Sequence, residues 1–285
     1  MNFLKFRKLS EYIGRRHMDI LDVCVTRTLE CGVVPIELGL RPMYDCYYSN
    51  TVGYRGRAYI NSILYGSLGP DDYTDALEHD KTGEELAKRN LRTIVRALPK
   101  FAADTSRLEL VSLRCPAIML ENDGIYDLLH SLGRGVSPKY TKKMCLEFSE
   151  NILKGDSRRL CRMFADIRAA GWKIAVDNYG SHSFPMAALA DAAPDAVYLR
   201  PETVKMLSDR ERSKAVASFV RFATGLGVRV IADGAADDGQ IRELNSSECF
   251  AYMPSAEYSG NQPCVSRESD LSSLVGIKGG NESGI

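Results

Sequence analysis

Apolar positions along this chain follow two alternating rhythms. Short runs in which most positions are apolar recur at Leu108–Leu113, Met144–Phe148, Lys173–Asp177, Ala196–Leu199, Val228–Ala232 and Phe250–Met253, and they read as strands buried on both faces. Between them lie stretches with apolar residues three and four apart, the spacing of one helix face. Leu91, Ile94, Val95 and Leu98 form one such stripe, with Thr82 and Glu85 as a capping box and Pro99 as the expected stop. Leu160, Met163, Phe164 and Ile167 form another, closed by Gly171. Further helices are expected near Gly124–Leu132, at Met186–Leu189, over a longer stretch from Glu202 to Thr224, and at Gln240–Leu244. Ahead of this series Val33–Cys46 and Thr51–Tyr59 read as extended segments joined by a turn at Tyr47–Asn50, an antiparallel hairpin. Strands alternating with helices pair in parallel, and enough of them close a ring. The expected architecture is a TIM-like (β/α)8 barrel that opens with an antiparallel hairpin.

Length and charge narrow the reading. The 285 residues suit one barrel with short additions, since such a domain takes roughly 250 residues. Lys plus Arg (37) balance Asp plus Glu (37), so no basic excess marks a binder of duplex nucleic acid. Residues 1–20 are locally basic, with Lys5, Arg7, Lys8, Arg15 and Arg16 set among Phe3, Leu4, Phe6, Leu9, Tyr12 and Ile13. They read as an amphipathic helix lying on the barrel, or as a segment for a membrane surface or a partner. Charge interrupts this segment too often for a secretory leader, and no later run approaches the roughly 20 apolar residues of a membrane span. A cytoplasmic location is the expectation. The eight cysteines form no C-x-x-C pair and read as reduced residues without assigned chemistry. Residues 21–265 are taken as the barrel and 266–285, rich in Ser, Gly, Asn and Glu, as a flexible polar tail.

Barrel enzymes carry their reactive groups at the C-terminal ends of the strands. Three of the apolar runs end in acids there: Glu147, Asp177 followed by Asn178, and Asp233. With these ends in place, the chain resembles the EAL family of cyclic di-GMP phosphodiesterases over nearly all of Leu21–Val265. Arg41-Pro42-Met43-Tyr44-Asp45 is similar to the family's Gln-Pro-Ile-Val-Asp, and Gly53-Tyr54-Arg55-Gly56-Arg57 stands in the place of Gly-Tyr-Glu-Ala-Leu. Leu146-Glu147-Phe148-Ser149-Glu150 resembles Leu-Glu-Leu-Thr-Glu, and Asp177-Asn178-Tyr179-Gly180 resembles Asp-Asp-Phe-Gly. Asp195–Arg200 and Ile231–Ala236 take the places of Asp-x-Leu-Lys-Ile-Asp and Ala-Glu-Gly-Val-Glu.

The resemblance implies a centre in which strand-end carboxylates and an Asn hold one or two Mg²⁺ or Mn²⁺ ions, with a Lys and a Gln placing the attacking water. Carried over position by position, it implies Glu147 and Asp177 as metal ligands, with Asn178 and Asp233 as weakened counterparts of an Asp and a Glu. The signature Glu becomes Arg55, the Asn becomes Ser112, the Lys becomes Tyr198, a companion Glu becomes Ala236, and the Gln falls near Met253. Arg55 weighs most. A fixed cation about 4 Å from a metal repels it by about 4 kcal/mol per unit of metal charge at an effective dielectric near 20. A guanidinium can instead bond Glu147 and Asp177 directly. If the strand register shifts, Arg57 is the next residue for that place.

Arg55, Ser112, Tyr198 and Met253 are therefore expected to be relics of a catalytic site, and no cofactor is expected. Mg or Mn at Glu147, Asp177, Asn178 and Asp233 belongs to the alternative reading, a weak metal-dependent phosphodiesterase. A non-hydrolysing receptor for cyclic di-GMP would use Arg41 and Arg200 on its phosphates. The leading expectation is a catalytically inactive, regulatory EAL-like domain with a protein partner. The resemblance also implies a homodimer as one assembly.

Overall fold

A computed structural model of the chain describes residues 36–62, 66–105, 107–121, 124–180, 186–256 and 258. The opening hairpin is present: β1 (Ile36–Tyr44) runs antiparallel to β2 (Thr51–Ser62), from Ile36 opposite Ile60 to Tyr44 opposite Thr51. Residues 33–35 lie outside the described residues, as do the basic segment 1–20 and the tail 266–285. The remaining strands are β3 (Gly66–Leu68), β4 (Leu110–Arg114), β5 (Met144–Ser149), β6 (Lys173–Tyr179), β7 (Ala196–Leu199), β8 (Arg229–Ala235) and β9 (Ala251–Pro254). Their order is β1-β9-β8-β7-β6-β5-β4-β2-β3, and the β1–β2 pairing closes the ring. Eight strands make the barrel; β3 adds to β2 outside it. β1 is antiparallel to both neighbours, meeting β9 at Tyr44 and Tyr252, and all other ring pairings are parallel.

Helices α1 (Pro70–Leu77), α2 (Lys81–Asp104), α3 (Ile118–Glu121), α4 (Gly124–Arg134), α5 (Pro138–Thr141), α6 (Ser157–Ala169), α7 (Met186–Ala192), α8 (Pro201–Lys205), α9 (Arg210–Gly225) and α10 (Asp238–Ser246) surround the ring. Side chains alternate across each strand. One set, including Leu113, Leu146, Phe148, Val176 and Val197, packs outward against helix residues such as Ile94, Leu98, Phe164 and Ile167. The other set fills the inside of the barrel with Met43, Leu110, Cys145, Ala175, Ala196, Tyr198, Ile231, Ala251 and Met253.

Three helix boundaries differ from the sequence-based expectation. Pro99 does not end α2, which continues to Asp104. Pro99 itself is exposed while Leu98 is fully buried and Ala102 packs on the core, so side-chain burial holds the last turns despite the missing backbone donor. The cap of α2 is Asp80, whose carboxylate accepts the Thr82 N–H at 2.7 Å, in place of Thr82 itself. The stretch from Glu202 to Thr224 is interrupted: Asp209 turns extended (φ −102°, ψ 125°) and its carboxylate accepts the N–H groups of Glu211 and Arg212, starting α9 afresh. The sequence reading also missed β3, α1, α3 and α5, which are too short to show a period. Among the described residues no helix is long and apolar enough to cross a membrane.

Candidate functional site

Alternation along the strands decides what meets at the C-terminal rim of the ring. Arg55 and Arg57 of β2, Ser112 and Arg114 of β4, Glu147 of β5, Asp177 of β6, Tyr198 of β7 and Asp233 of β8 all stand on the inward parity, and Arg41 of β1 lies opposite Arg55. At the centre is the Arg55 guanidinium, only 3% exposed. Its Nε lies 3.2 and 3.0 Å from the two Glu147 oxygens and its Nη2 lies 2.9 Å from Oε2. Nη1 donates to Asp233 Oδ2 at 2.7 Å, and Nη2 also donates to Asp177 Oδ1. The guanidinium carbon sits 4.1 Å from the centre of the Tyr198 ring, a cation–π contact.

Each of these three carboxylates meets at least one further arginine. Arg57 Nη2 reaches Glu147 Oε2 at 2.9 Å, Arg114 Nη1 reaches Asp177 Oδ2 at 3.1 Å, and Arg41 Nη2 reaches Asp233 Oδ1 at 3.1 Å; Arg57 Nη2 also lies 3.6 Å from Asp177 Oδ2. Arg114 also pairs with Glu78 at 2.8 Å. Four arginines thus face four carboxylates, and the cluster is neutral as a whole. Ser112 Oγ donates to Glu147 Oε1 and lies 2.6 Å from the Tyr198 hydroxyl, which approaches Met43 Sδ at 3.6 Å.

The electrostatics follow from burial opposed by pairing. Burial alone would push the Glu147 and Asp177 carboxyls up, but Arg55 and Arg57, with Arg114 added for Asp177, hold both below the usual carboxylate range. Burial would likewise pull Arg55 down, and Asp177, Glu147 and Asp233 raise it well above its ordinary value. Burial and the Glu147 charge push the Tyr198 phenol up. All these groups therefore stay in their ordinary charge states near neutral pH.

Above the cluster opens a cavity of about 600 Å³ whose lining includes Arg41, Arg57, Arg114, Asn178, Lys205 and Asp233. The structure brings Arg41, Arg55, Ser112, Glu147, Asp177, Tyr198 and Asp233 together in one network. Asn178 stands apart from it, exposed and in the left-handed region (φ 56°), with its N–H on Asp177 Oδ1. Met253 is buried in the apolar barrel interior below. Arg200 does not line the cavity and pairs with Glu202 at 2.7 Å. Sequence reasoning missed Arg114 and Glu78. Arg114 was findable, since it lies two residues beyond Ser112 on the same strand and so on the same face; Glu78 follows α1, an element with no sequence signal. Among the described residues no group of three or more His, Cys, Asp or Glu is placed to hold a metal ion.

An eight-stranded α/β barrel with its polar groups gathered at the C-terminal rim defines the class. Residues 36–253 match the EAL domain, and the chain belongs to the EAL domain family. It is 26% identical over 233 residues to an uncharacterized signaling protein of Caulobacter vibrioides, covering 79% of this chain and 28% of that protein. It is 29% identical over 174 residues to the uncharacterized EAL-domain containing protein YkuI of Bacillus subtilis, covering 58% of this chain and 41% of that protein. The chain therefore spans less than half the length of either relative. Among solved structures, the EAL enzyme Bd1971 in its cAMP- and cyclic-di-GMP-bound form superposes with a TM-score of 0.74 at 15% identity, over 96% of this chain and 72% of that one. That likeness establishes the fold.

Proposed function

We propose that this domain is a non-hydrolytic EAL barrel that serves as a regulatory, protein-binding module in bacterial cyclic di-GMP-type signalling. The observation that carries this reading is the Arg55 guanidinium bonded at once to Glu147, Asp177 and Asp233. The Mg²⁺ or Mn²⁺ that the family implies would take those same oxygens. They do not fit it, because a buried cation already stands between them and each carboxylate holds a second arginine. Without an ion to activate water, no group in the cluster is a base: the carboxyls are stabilised as ion-paired anions and Tyr198 stays protonated.

The test is cyclic di-GMP hydrolysis measured with Mg²⁺ and with Mn²⁺. No turnover above buffer is expected. Turnover abolished by Asp177→Ala would overturn the proposal and make the domain a metal-dependent phosphodiesterase.

A second reading, a receptor that binds the dinucleotide without cutting it, is favoured by the cavity and by the arginines and Lys205 on its lining. Those arginines are already paired, so a phosphate would have to compete with carboxylates for them. Calorimetry with cyclic di-GMP separates the readings. Micromolar binding lost in Arg41→Ala supports the receptor; absence of heat leaves the protein partner.

A further inference from the structure

The inward face of three strands repeats one pattern, a cation, then a small or apolar residue, then an acid. It reads Lys143-x-Cys145-x-Glu147 at β5, Lys173-x-Ala175-x-Asp177 at β6 and Arg229-x-Ile231-x-Asp233 at β8. The acids rise to the mouth, where arginines neutralise them. The cations fall at the opposite end, where the pairing is sparse. Arg229 Nη2 bonds Glu109 at 2.9 Å, its guanidinium carbon lies 4.4 Å from the centre of the Phe250 ring, and its buried Nη1 has no hydrogen-bond partner among the described residues. Lys173 Nζ donates to the Glu109 carbonyl at 3.1 Å and Lys143 Nζ to the Leu108 carbonyl, and neither meets a carboxylate among the described residues. Burial, then the charge of Arg229, pulls the Lys173 ammonium below its ordinary value, as expected where cations crowd.

Other groups at this end do not cancel the excess. Arg107 and Lys142 are exposed and add charge. Asp195 is paired with Arg168 and also accepts the Ile174 N–H, and Asp45 accepts the N–H groups of Tyr47, Tyr48 and Asn50. Glu248 stands exposed. Of the groups named here, six cations (Arg107, Lys142, Lys143, Arg168, Lys173, Arg229) accompany four acids (Asp45, Glu109, Asp195, Glu248), in a chain whose formal charges sum to zero. At the same end the β1–β2 turn presents Tyr47 and Tyr48, 70% and 66% exposed, in an edge-on pair 4.4 Å apart. The Asp45 bonds and the Ser49 Oγ–Tyr252 hydroxyl contact at 3.1 Å fix the turn, and Arg107 lies 5.8 Å over the Tyr48 ring.

We propose that this end of the barrel, opposite the ion-paired mouth, is a docking surface for a protein partner that presents an acidic segment with apolar residues among its acids. Rigid tyrosines supply contact area at little entropic cost, and unneutralised cations select carboxylates. A nucleic acid would call for a larger basic excess, and a lipid surface for inserted aliphatic side chains. The proposal rests on the partner-binding reading above.

The probe is a short fluorescein-labelled peptide of alternating Glu and Leu, titrated into the full chain and followed by anisotropy, with a Lys-Leu peptide as the reverse-charge control. Saturable, salt-sensitive binding of the acidic peptide alone is expected. It should weaken by about tenfold in Tyr47→Ser/Tyr48→Ser and in Arg107→Glu/Lys142→Glu, exposed positions whose variants are checked for unchanged circular dichroism. Absence of binding, equal binding by wild type and both variants, or equal binding of phosphatidylglycerol vesicles or a single-stranded RNA overturns it. Cyclic di-GMP turnover measured on the same preparations reports on the hydrolysis question separately, so the two readings fail independently.

Discussion

At the scale of single residues, Arg55 organises the rim because one planar fork satisfies three acids that would otherwise repel one another. Arg55→Met removes the shared cation and leaves buried carboxylates with only their outer arginines. A loss of about 3–5 kcal/mol in urea unfolding is expected, the usual consequence of breaking a buried charge cluster from one side. The pH dependence has a definite sign. Glu147 and Asp177 have lowered folded-state pKa values, so their stabilisation is complete above the unfolded carboxylate range and fades as pH falls below about 4. The stability gap between wild type and Arg55→Met should therefore shrink on acidification from neutral pH. A gap that stays constant down to the acid limit of the folded state would show that the pairing does not stabilise the fold. Much of this network was legible: Glu147, Asp177 and Asp233 end apolar runs, and the resemblance to the family singles out Arg55. Its outer ring was not, because which arginine a carboxylate selects depends on distances across strands that no local pattern encodes.

At the scale of elements, the strands were the readable part. Runs such as Met144–Phe148 and Ala196–Leu199 are buried on both faces, so their composition alone marks them. Helix limits were less readable, because burial of Leu98 and Ala102 outweighs Pro99, and because one capping aspartate, Asp209, splits a continuous apolar stripe. The hairpin strand β2 has a requirement of its own. A Cβ on Gly53 would stand 2.5 Å from the Leu110 carbonyl oxygen of β4, so Gly53→Ala should cost about 1–3 kcal/mol through overpacking. Thermal unfolding checks it; a variant as stable as wild type would mean that β2 shifts without loss.

At the scale of the whole molecule, the barrel carries its paired arginine–carboxylate cluster at the mouth and the cations that open β5, β6 and β8 at the far end. Binding of an ion to the folded state alone raises the melting temperature by mass action. Millimolar Mn²⁺ or Mg²⁺ is therefore expected to leave the melting temperature of the full chain unchanged relative to a chelator. A rise of several degrees, lost in Asp177→Ala, would place an ion at the rim after all. The Arg55 side chain has one further consequence. Tethering gives a group an effective concentration fixed by its linker instead of by the surroundings. A cation joined to the backbone cannot be chelated, exchanged or diluted. Under the proposed reading, the shape of the mouth would not depend on the supply of divalent ions, and the domain would respond only to what touches it.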